Sequence, residues 1–297
     1  MTQENAALKD SIRNWWANNP MTYGAEHGRL EYVHPDGRHE FAEIGTARFF
    51  ELADMVFAQW NEPHHDATGN FGRLFDYARY QGRSVLEVGC GMGCMAMNWA
   101  RQGARLTAVD LNPTAVAQTR KRFELFGLEG DIRECDGERL CFPDASFDYV
   151  YSWGVLHHTP NTADAIEELR RVLRPGGRVG VMLYSRSSLL SRYIVGYLEG
   201  LVNMESRFLT PLGLGSRYGD GDRQEGNPHT WPVTKAEVRR DLFHRFEDVS
   251  IDVFGTDVPW ILNHWLPNLA ERMPKALVRE LSRRFGWSLW IQARKGG

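Results

Sequence analysis

Apolar and polar positions divide this chain into zones of different period. Residues 1–80 read as helical, with amphipathic stretches at 46–60 and 71–80 separated by the polar run 61–70; one candidate strand lies at 30–33. Over 83–184 short β-rich runs at 84–88, 105–109, 130–134, 147–151 and 178–183 alternate with helical segments. Apolar runs of this length suit strands covered on both faces, as in a parallel sheet. Asn112 followed by Pro113 supplies an N-cap and a first-turn proline for a helix reaching Phe126. Asn161 predicts the cap of a helix running to Leu173, with Ile166, Leu169 and Leu173 on one face, stopped by the Arg-Pro-Gly-Gly run at 174–177. Beyond 185 the pattern is mixed: a helix over 188–208, a glycine-rich stretch over 212–227, a helix over 234–243 and strands at 248–254 and 287–293. The final strand reads as an edge or an antiparallel partner.

Strands and helices alternating at these lengths predict an α/β fold, a doubly wound Rossmann-like sheet that is mostly parallel with an antiparallel last strand. The expected organisation is a helical N-terminal cap region at 1–80, a sheet core at 81–184, an insertion with a helix at 185–245, and final strands at 246–297 that complete the sheet.

Composition narrows the function classes. The 297 residues can bury a substantial core, and 42% apolar with 25% charged residues is ordinary for a globular protein. A net charge of −3 argues against nucleic acid as the default partner. The first ten residues are polar, so no secretory signal is expected, and no run approaches the roughly 18 apolar residues of a membrane span. Four cysteines, at 90, 94, 135 and 141, imply no disulfide framework in a chain this long. The expected compartment is the cytoplasm. Ten Trp, ten Tyr and fifteen Phe cluster outside the central segment, which fits an apolar pocket or lid; most should be core, and aromatic surface left exposed could become a homodimer interface.

The run Val-Leu-Glu-Val-Gly-Cys-Gly-Met-Gly at 85–93 carries the most chemistry. A strand delivers the chain into a loop where Gly89, Gly91 and Gly93 permit tight turning and close backbone approach to a ligand. The next strand ends in Asp110, where open α/β sheets present a carboxylate to ribose hydroxyls. A dinucleotide is the rival ligand, and with it a nicotinamide-dependent oxidoreductase. The loop spacing is Gly-x-Gly-x-Gly, not the Gly-x-Gly-x-x-Gly that seats a pyrophosphate on a helix N-terminus. Glu87, before the first glycine, would repel a pyrophosphate and favour a cationic methionyl group.

These motifs resemble the class I S-adenosylmethionine-dependent methyltransferases, particularly the small-molecule group that includes ubiquinone and menaquinone C-methyltransferases. VLEVGCGMG resembles their first motif and AVDLN at 108–112 their second. CDGERLCFPDASFDYVYS at 135–152 looks like their adenine-side and fourth-strand motifs, with WGVLHH and LRPGGR following at the usual places. Cys141 stands where that family commonly has proline or another apolar residue. The resemblance implies that 81–184 binds S-adenosylmethionine and releases S-adenosylhomocysteine. Glu87, Gly89, Cys90, Gly91 and Gly93 would surround the methionyl end, and Asp110 would hold the ribose with Leu111 against the adenine. Asp136 would accept from the adenine amino group, with Gly137 and Glu138 alongside, and Ser152 and Trp153 would lie near the sulfonium. The segment 185–245 would build the pocket for a small-molecule acceptor.

Methyl transfer is an in-line displacement in which alignment does most of the catalysis, and a base matters when the acceptor must lose a proton. His157, just past the fourth strand, is the candidate base; it reads equally as a loop brace. His158, Tyr23, Glu225 and His229 are the candidate acceptor contacts. His64, His65 and Asp66 have a metal-like composition, but adjacent histidines without further ligands read as a loop, so no metal is expected. The four cysteines suit small buried positions better than thiolates that bind a metalloid acceptor. A cofactor-binding interaction protein without turnover remains the alternative to an enzyme.

Overall fold

The computed structural model describes residues 3–19, 28–219, 226–255 and 257–297. The N-terminal part holds α1 (Gln3–Asn18), the hairpin β1 (Arg29–Val33) and β2 (His39–Glu43), and α2 (Ala47–Trp60). Then come β3 (Ser84–Val88), α3 (Cys94–Arg101), β4 (Arg105–Asp110), α4 (Pro113–Leu125), β5 (Asp131–Glu134), β6 (Phe147–Trp153), α5 (Thr162–Val172) and β7 (Leu173–Tyr184). A π-helix at Leu190–Val202 leads to α6 (Pro211–Tyr218) and α7 (Lys235–Glu237). The chain ends with β8 (Glu247–Phe254), α8 (Asp257–Trp265), α9 (Leu269–Arg272), α10 (Lys275–Phe285) and β9 (Ser288–Arg294).

Seven strands form one sheet in the order β5-β4-β3-β6-β7-β9-β8. β3 pairs with β4, and β4 with β5, in parallel; β9 runs antiparallel to both β7 and β8. The predicted doubly wound sheet with an antiparallel last strand is therefore present. β9 is not an edge: Leu289, Trp290 and Ile291 are all buried, as an apolar run between two neighbours requires. β8 takes the edge, and its Glu247, Asp248, Ser250 and Asp252 are exposed.

The chain forms two compact units, residues 16–136 with 146–150 and residues 1–15 with 137–145 and 151–297. In the first, α2 begins where the sequence predicts, with the Thr46 side chain accepting from Phe49 N. Its neighbours differ from expectation. Strand 30–33 exists as part of β1, but it pairs with β2, which the largely helical reading of 1–80 missed. The stretch 71–80 is not an amphipathic helix; it is a series of turns ending in a 3-10 turn at Ala78–Tyr80. The reason is packing. Phe75, Tyr77 and Tyr80 all contact Trp99, at ring-centroid distances of 5.3, 4.6 and 5.8 Å. Residues two apart point to opposite sides of a helix, so Phe75 and Tyr77 reach the same ring only from irregular backbone.

In the second unit α5 ends at Val172 and the strand begins at once, earlier than the proline and glycines suggest. The tail of β9 holds this segment: Gly176 N donates to Lys295 O (3.0 Å) and Lys295 N to Gly177 O (2.9 Å). Within the glycine-rich stretch a helix forms. Thr210 accepts from Gly213 N and Pro211 opens α6, while a Cβ on Gly215 would lie 3.2 Å from Thr230 O. Close approach explains that glycine better than turning does. The three helices α8, α9 and α10 also lie where only strands were expected.

Asp257, at the start of α8, sets a pH dependence. Its Oδ1 accepts from Trp287 N (3.1 Å), and its Oδ2 is buried without a hydrogen-bond partner among the described residues. Burial pushes the carboxyl from its ordinary value of 3.8 up to about 6, against the backbone donors of Trp287, Asp257 and Val258. Between those values the folded state binds more protons than the unfolded one, so stability falls as pH rises through the window. Asp257→Asn should therefore gain about 2 kcal/mol relative to the parent at pH 7 and nothing comparable at pH 4. Urea unfolding at both pH values measures this; an equal difference at the two would refute it.

Candidate active site

In the first unit β3 and β4 assemble a loop around one carboxylate. Gly89 N and Cys90 N both donate to Val109 O, at 2.8 and 3.0 Å, folding the loop back over the end of β4. Gly89, Gly91 and Gly93 have φ of +85°, +52° and +75°, the left-handed region that favours glycine. Chain neighbours aside, no described atom lies within 4 Å of where a Gly91 Cβ would project, so open space adjoins its Cα although its N and O are both hydrogen-bonded. A Cβ on Gly93 would instead meet Thr119 Cγ2 at 2.7 Å, so that glycine serves packing.

Asp110 ties the loop to the next helix. Its Oδ2 accepts from Gly91 N (2.9 Å) and its Oδ1 from Asn112 N (2.9 Å). Burial raises its pKa, and the donors of Asn112, Gly91 and Leu111 act against that rise. Asn112 in turn accepts from Thr114 N to cap α4 and donates to Trp16 O (2.8 Å). Leu111 is half-buried between them. Cys135 N donates to Asp110 O (3.0 Å), which brings half-buried Asp136 beside the end of β4. Glu87 is buried in β3 opposite Ala108. Cys90 is buried, and burial followed by the carboxylates of Asp110 and Glu87 pushes its thiol well up.

Thr119 was not among the expected residues. It is fully buried on α4, donates to Gly91 O (2.9 Å) and lies 3.5 Å from Cys90 Sγ, so it braces the loop from beneath. The available signal was a hydroxyl on the apolar face that also carries Ala115, Val116 and Phe123. His64, His65 and Asp66 shape a turn: His65 Nδ1 accepts from Phe71 N (2.9 Å) and Nε2 meets Ala58 O (3.0 Å), while Asp66 accepts from Thr68. Burial, then His65 and Arg73, lowers His64 to about 4.

The second unit holds the remaining candidates. Gly137 precedes Glu138, whose carboxylate pairs with Lys9 Nζ (2.6 Å) and accepts from Asn161 N (2.8 Å) and the Thr159 hydroxyl. Burial would raise this carboxyl, but these partners together hold it below its ordinary value. Ser152 is fully buried, and Trp153 stacks on Phe254 at 5.9 Å with Trp290 at 5.6 Å. His157 has no exposed surface; its ring lies 3.8 Å from Tyr184 and 4.2 Å from His158, and neither ring nitrogen has a hydrogen-bond partner among the described residues. Burial, reinforced by His158 and His229, pushes its pKa well down, so the imidazole is neutral at neutral pH. His158 Nδ1 donates to His229 O (2.9 Å), with Thr230 Oγ1 at 3.1 Å, whose own proton goes to Asn227 Oδ1. His229 lines a cleft of about 440 Å³ with Pro160, Asn161, Trp231 and Glu237. Tyr23 and Glu225 lie outside the described residues.

Two glycines and one carboxylate could serve several ligands; the comparisons with known proteins narrow them. Residues 86–181 match the family model described as a methyltransferase domain. The chain is 35% identical to a phthiotriol/phenolphthiotriol dimycocerosates methyltransferase of Mycobacterium ulcerans, over 67% of this chain and 70% of that one. It is 32% identical to a ubiquinone biosynthesis O-methyltransferase of Paracidovorax citrulli, over 58% of this chain and 79% of that one. It spans only 44% of the length of a Gibberella zeae sterol 24-C-methyltransferase and 66% of a Nitrosococcus oceani ubiquinone biosynthesis O-methyltransferase. Among solved structures, a methyltransferase of Methanosarcina mazei superposes with a TM-score of 0.51 at 20% identity, covering 74% of this chain and 95% of that one. The cyclase SpnF does so with 0.51 at 19% identity, covering 96% and 95%, so the fold by itself does not name the reaction. The relatives matched over most of their length do bear on kinship: the chain belongs to the class I S-adenosylmethionine-dependent methyltransferases, in the group that contains the small-molecule enzymes.

Proposed function

We propose that this chain transfers a methyl group from S-adenosylmethionine to a small-molecule acceptor that is hydrophobic or ring-bearing, working in the cytoplasm. The observation that carries the reading is the glycine loop closed onto Asp110, with open space beside the Gly91 Cα and Glu87 buried in the preceding strand. This donor set suits a ribose and a cationic methionyl group and disfavours a pyrophosphate. Glu87, Gly89, Cys90, Gly91 and Gly93 would line the methionyl end, Asp110 and Leu111 the ribose and adenine, and Asp136 the adenine edge. Family kinship carries Gly137, Glu138, Ser152 and Trp153 to the same role; for Glu138 this means chiefly positioning, because its carboxylate already clamps Lys9 and Asn161.

When bound, S-adenosylmethionine supplies an electrophilic methyl on a sulfonium. The chain's own task is alignment, exclusion of water and, for an acceptor bearing O–H or N–H, removal of a proton. His157 is the proposed base: a nitrogen of its neutral imidazole would take the proton of an acceptor that parts it from the Tyr184 ring, against which it is buried. His158 and His229 belong to the acceptor side in this reading, with the 185–245 segment supplying the pocket.

Calorimetric titration tests the cofactor. S-adenosylmethionine and S-adenosylhomocysteine should bind and NAD should not; folded protein that binds neither sulfur compound would sink the proposal. His157→Gln should slow turnover by about 10²–10⁴-fold with cofactor affinity unchanged. Because burial keeps His157 neutral, parent activity should stay flat from pH 8 through 6.5, where an exposed imidazole would already be half protonated. Full activity of the variant would return His157 to a packing role.

A further inference from the structure

Single exposed apolar residues are normal on a protein surface, but their clustering is not. Of fifteen large exposed hydrophobics among the described residues, five lie at 197–208 and four at 260–277. Phe208 is 85% exposed, Leu201 65% and Trp260 56%. The two segments meet. Tyr193 stacks on Tyr197 at 6.0 Å and touches Trp265 edge-on at 5.2 Å, which links the π-helix to α8. Leu201 continues the Tyr193–Tyr197 stripe along the π-helix, and Leu266 follows Trp265. The result is an apolar strip rich in tyrosine and tryptophan, rings with one apolar and one polar end.

Charge beside the strip tells what it meets. α10 packs against α8, buries no residue and reads Lys-Ala-Leu-Val-Arg-Glu-Leu-Ser-Arg-Arg-Phe, four cations to one anion. Lys275, Arg279, Arg283 and Arg284, with Arg272 on α9, are exposed, and none has a carboxylate partner among the described residues. Elsewhere in this unit Arg170, Arg171, Arg240, Arg245 and Arg294 each hold a carboxylate, while Arg178 and, on or just past the π-helix, Arg192 and Arg207 are exposed without one among the described residues. Unpaired cations concentrated at one place in a chain of net charge −3 are complementary to an anionic surface, and aromatic rings beside them suit the boundary between headgroups and acyl chains.

We propose that the face formed by the π-helix, α8 and α10 docks on an anionic lipid bilayer, lying on the surface without spanning it. No helix among the described residues is long and apolar enough to cross a membrane. This inference goes beyond methyl transfer and stands whether or not that reading holds. If both hold, a bilayer-dissolved acceptor is the simplest substrate.

Sedimentation with vesicles tests it, using phosphatidylcholine alone and phosphatidylcholine with about one third phosphatidylglycerol. The full chain should pellet with the anionic vesicles, remain in solution with the neutral ones, and release as salt rises. Neutralising Arg279, Arg283 and Arg284 to Gln should weaken partitioning by on the order of a hundredfold, at roughly fivefold per cation. Trp265→Ser with Leu266→Ser should also weaken it, and circular dichroism with urea unfolding should report unaltered folding in both variants. Equal pelleting of parent and both variants would overturn the proposal, as would no pelleting at all. It would fall too if the parent sedimented as a dimer that the Ser variant converts to monomer without any lipid binding, because the face would then be covered by a second copy.

Discussion

Asp110→Ala is expected to weaken S-adenosylmethionine binding by about 2–4 kcal/mol, at least thirtyfold in affinity. Two losses add. In the proposed complex the carboxylate accepts from the ribose hydroxyls, and charge-assisted bonds of that kind contribute about 1.5–3 kcal/mol each when made away from bulk water. In the protein alone it also accepts from Gly91 N and Asn112 N, so its removal leaves two backbone donors without their acceptor and loosens the loop before any ligand arrives. Asp110→Asn separates the two effects, because an amide oxygen can replace one acceptor but neither the second nor the charge; its affinity should fall between parent and alanine variant. Calorimetry at fixed pH reads both. Because burial raises the Asp110 pKa, affinity should also decay on acidification sooner than for an ordinary aspartate. If alanine leaves the affinity untouched, Asp110 does not touch the cofactor.

Arg122→Leu should destabilise the chain by about 3–5 kcal/mol without a comparable change in cofactor affinity per folded molecule. Arg122 sits on α4 with no exposed surface. Its Nη2 donates to Asp54 Oδ1 (2.6 Å) and to Phe50 O (3.2 Å), and its guanidinium lies 4.7 Å from the centroid of the Phe50 ring. Burial, then the Asp54 carboxylate, pushes the Cys94 thiol well above its ordinary pKa, so it stays a neutral thiol. Removing the cation leaves Asp54 largely buried beside a carbonyl, a far larger penalty than the pair's net contribution. Arg122→Leu combined with Asp54→Leu should therefore recover most of the loss. Urea unfolding of the parent, both single variants and the double variant measures the coupling; a double variant as unstable as the sum of the singles would show that the pair is not the cause.

Where the sequence was readable, one physical signal dominated. The continuous apolar runs of β3, β4 and β6 and the Asn112-Pro113 start of α4 depend on neighbours a few residues away, and all are found where expected. The loop residues Gly89, Gly91 and Gly93 were equally legible, because a left-handed backbone between strand and helix leaves its trace in residue type. Misreadings came where distant partners decided. The 71–80 stretch has the aromatic content of a helix face, but Trp99 draws residues from both sides of that face toward one ring. Of the two readings of the last strand, edge or antiparallel partner, the second holds, and only tertiary structure decides it, because nothing local says that β8 will cover the outer side of β9.

The same division runs through the site. Residue type and spacing determined the sheet class, the glycine loop, the carboxylate at the end of β4 and the kinship they carry, since each is a property of short segments. Only tertiary structure decided that Thr119 braces Gly91 from α4, that Glu138 is clamped by Lys9 from α1, and that His157 stands fully buried against Tyr184. It also decided that α8 and α10, which lie where only strands were expected, present cations without carboxylate partners beside an aromatic strip. Hydrogen bonds and burial join residues far apart in the chain, and a polar side chain carries no local mark of whether it will meet water, a backbone carbonyl or another ring.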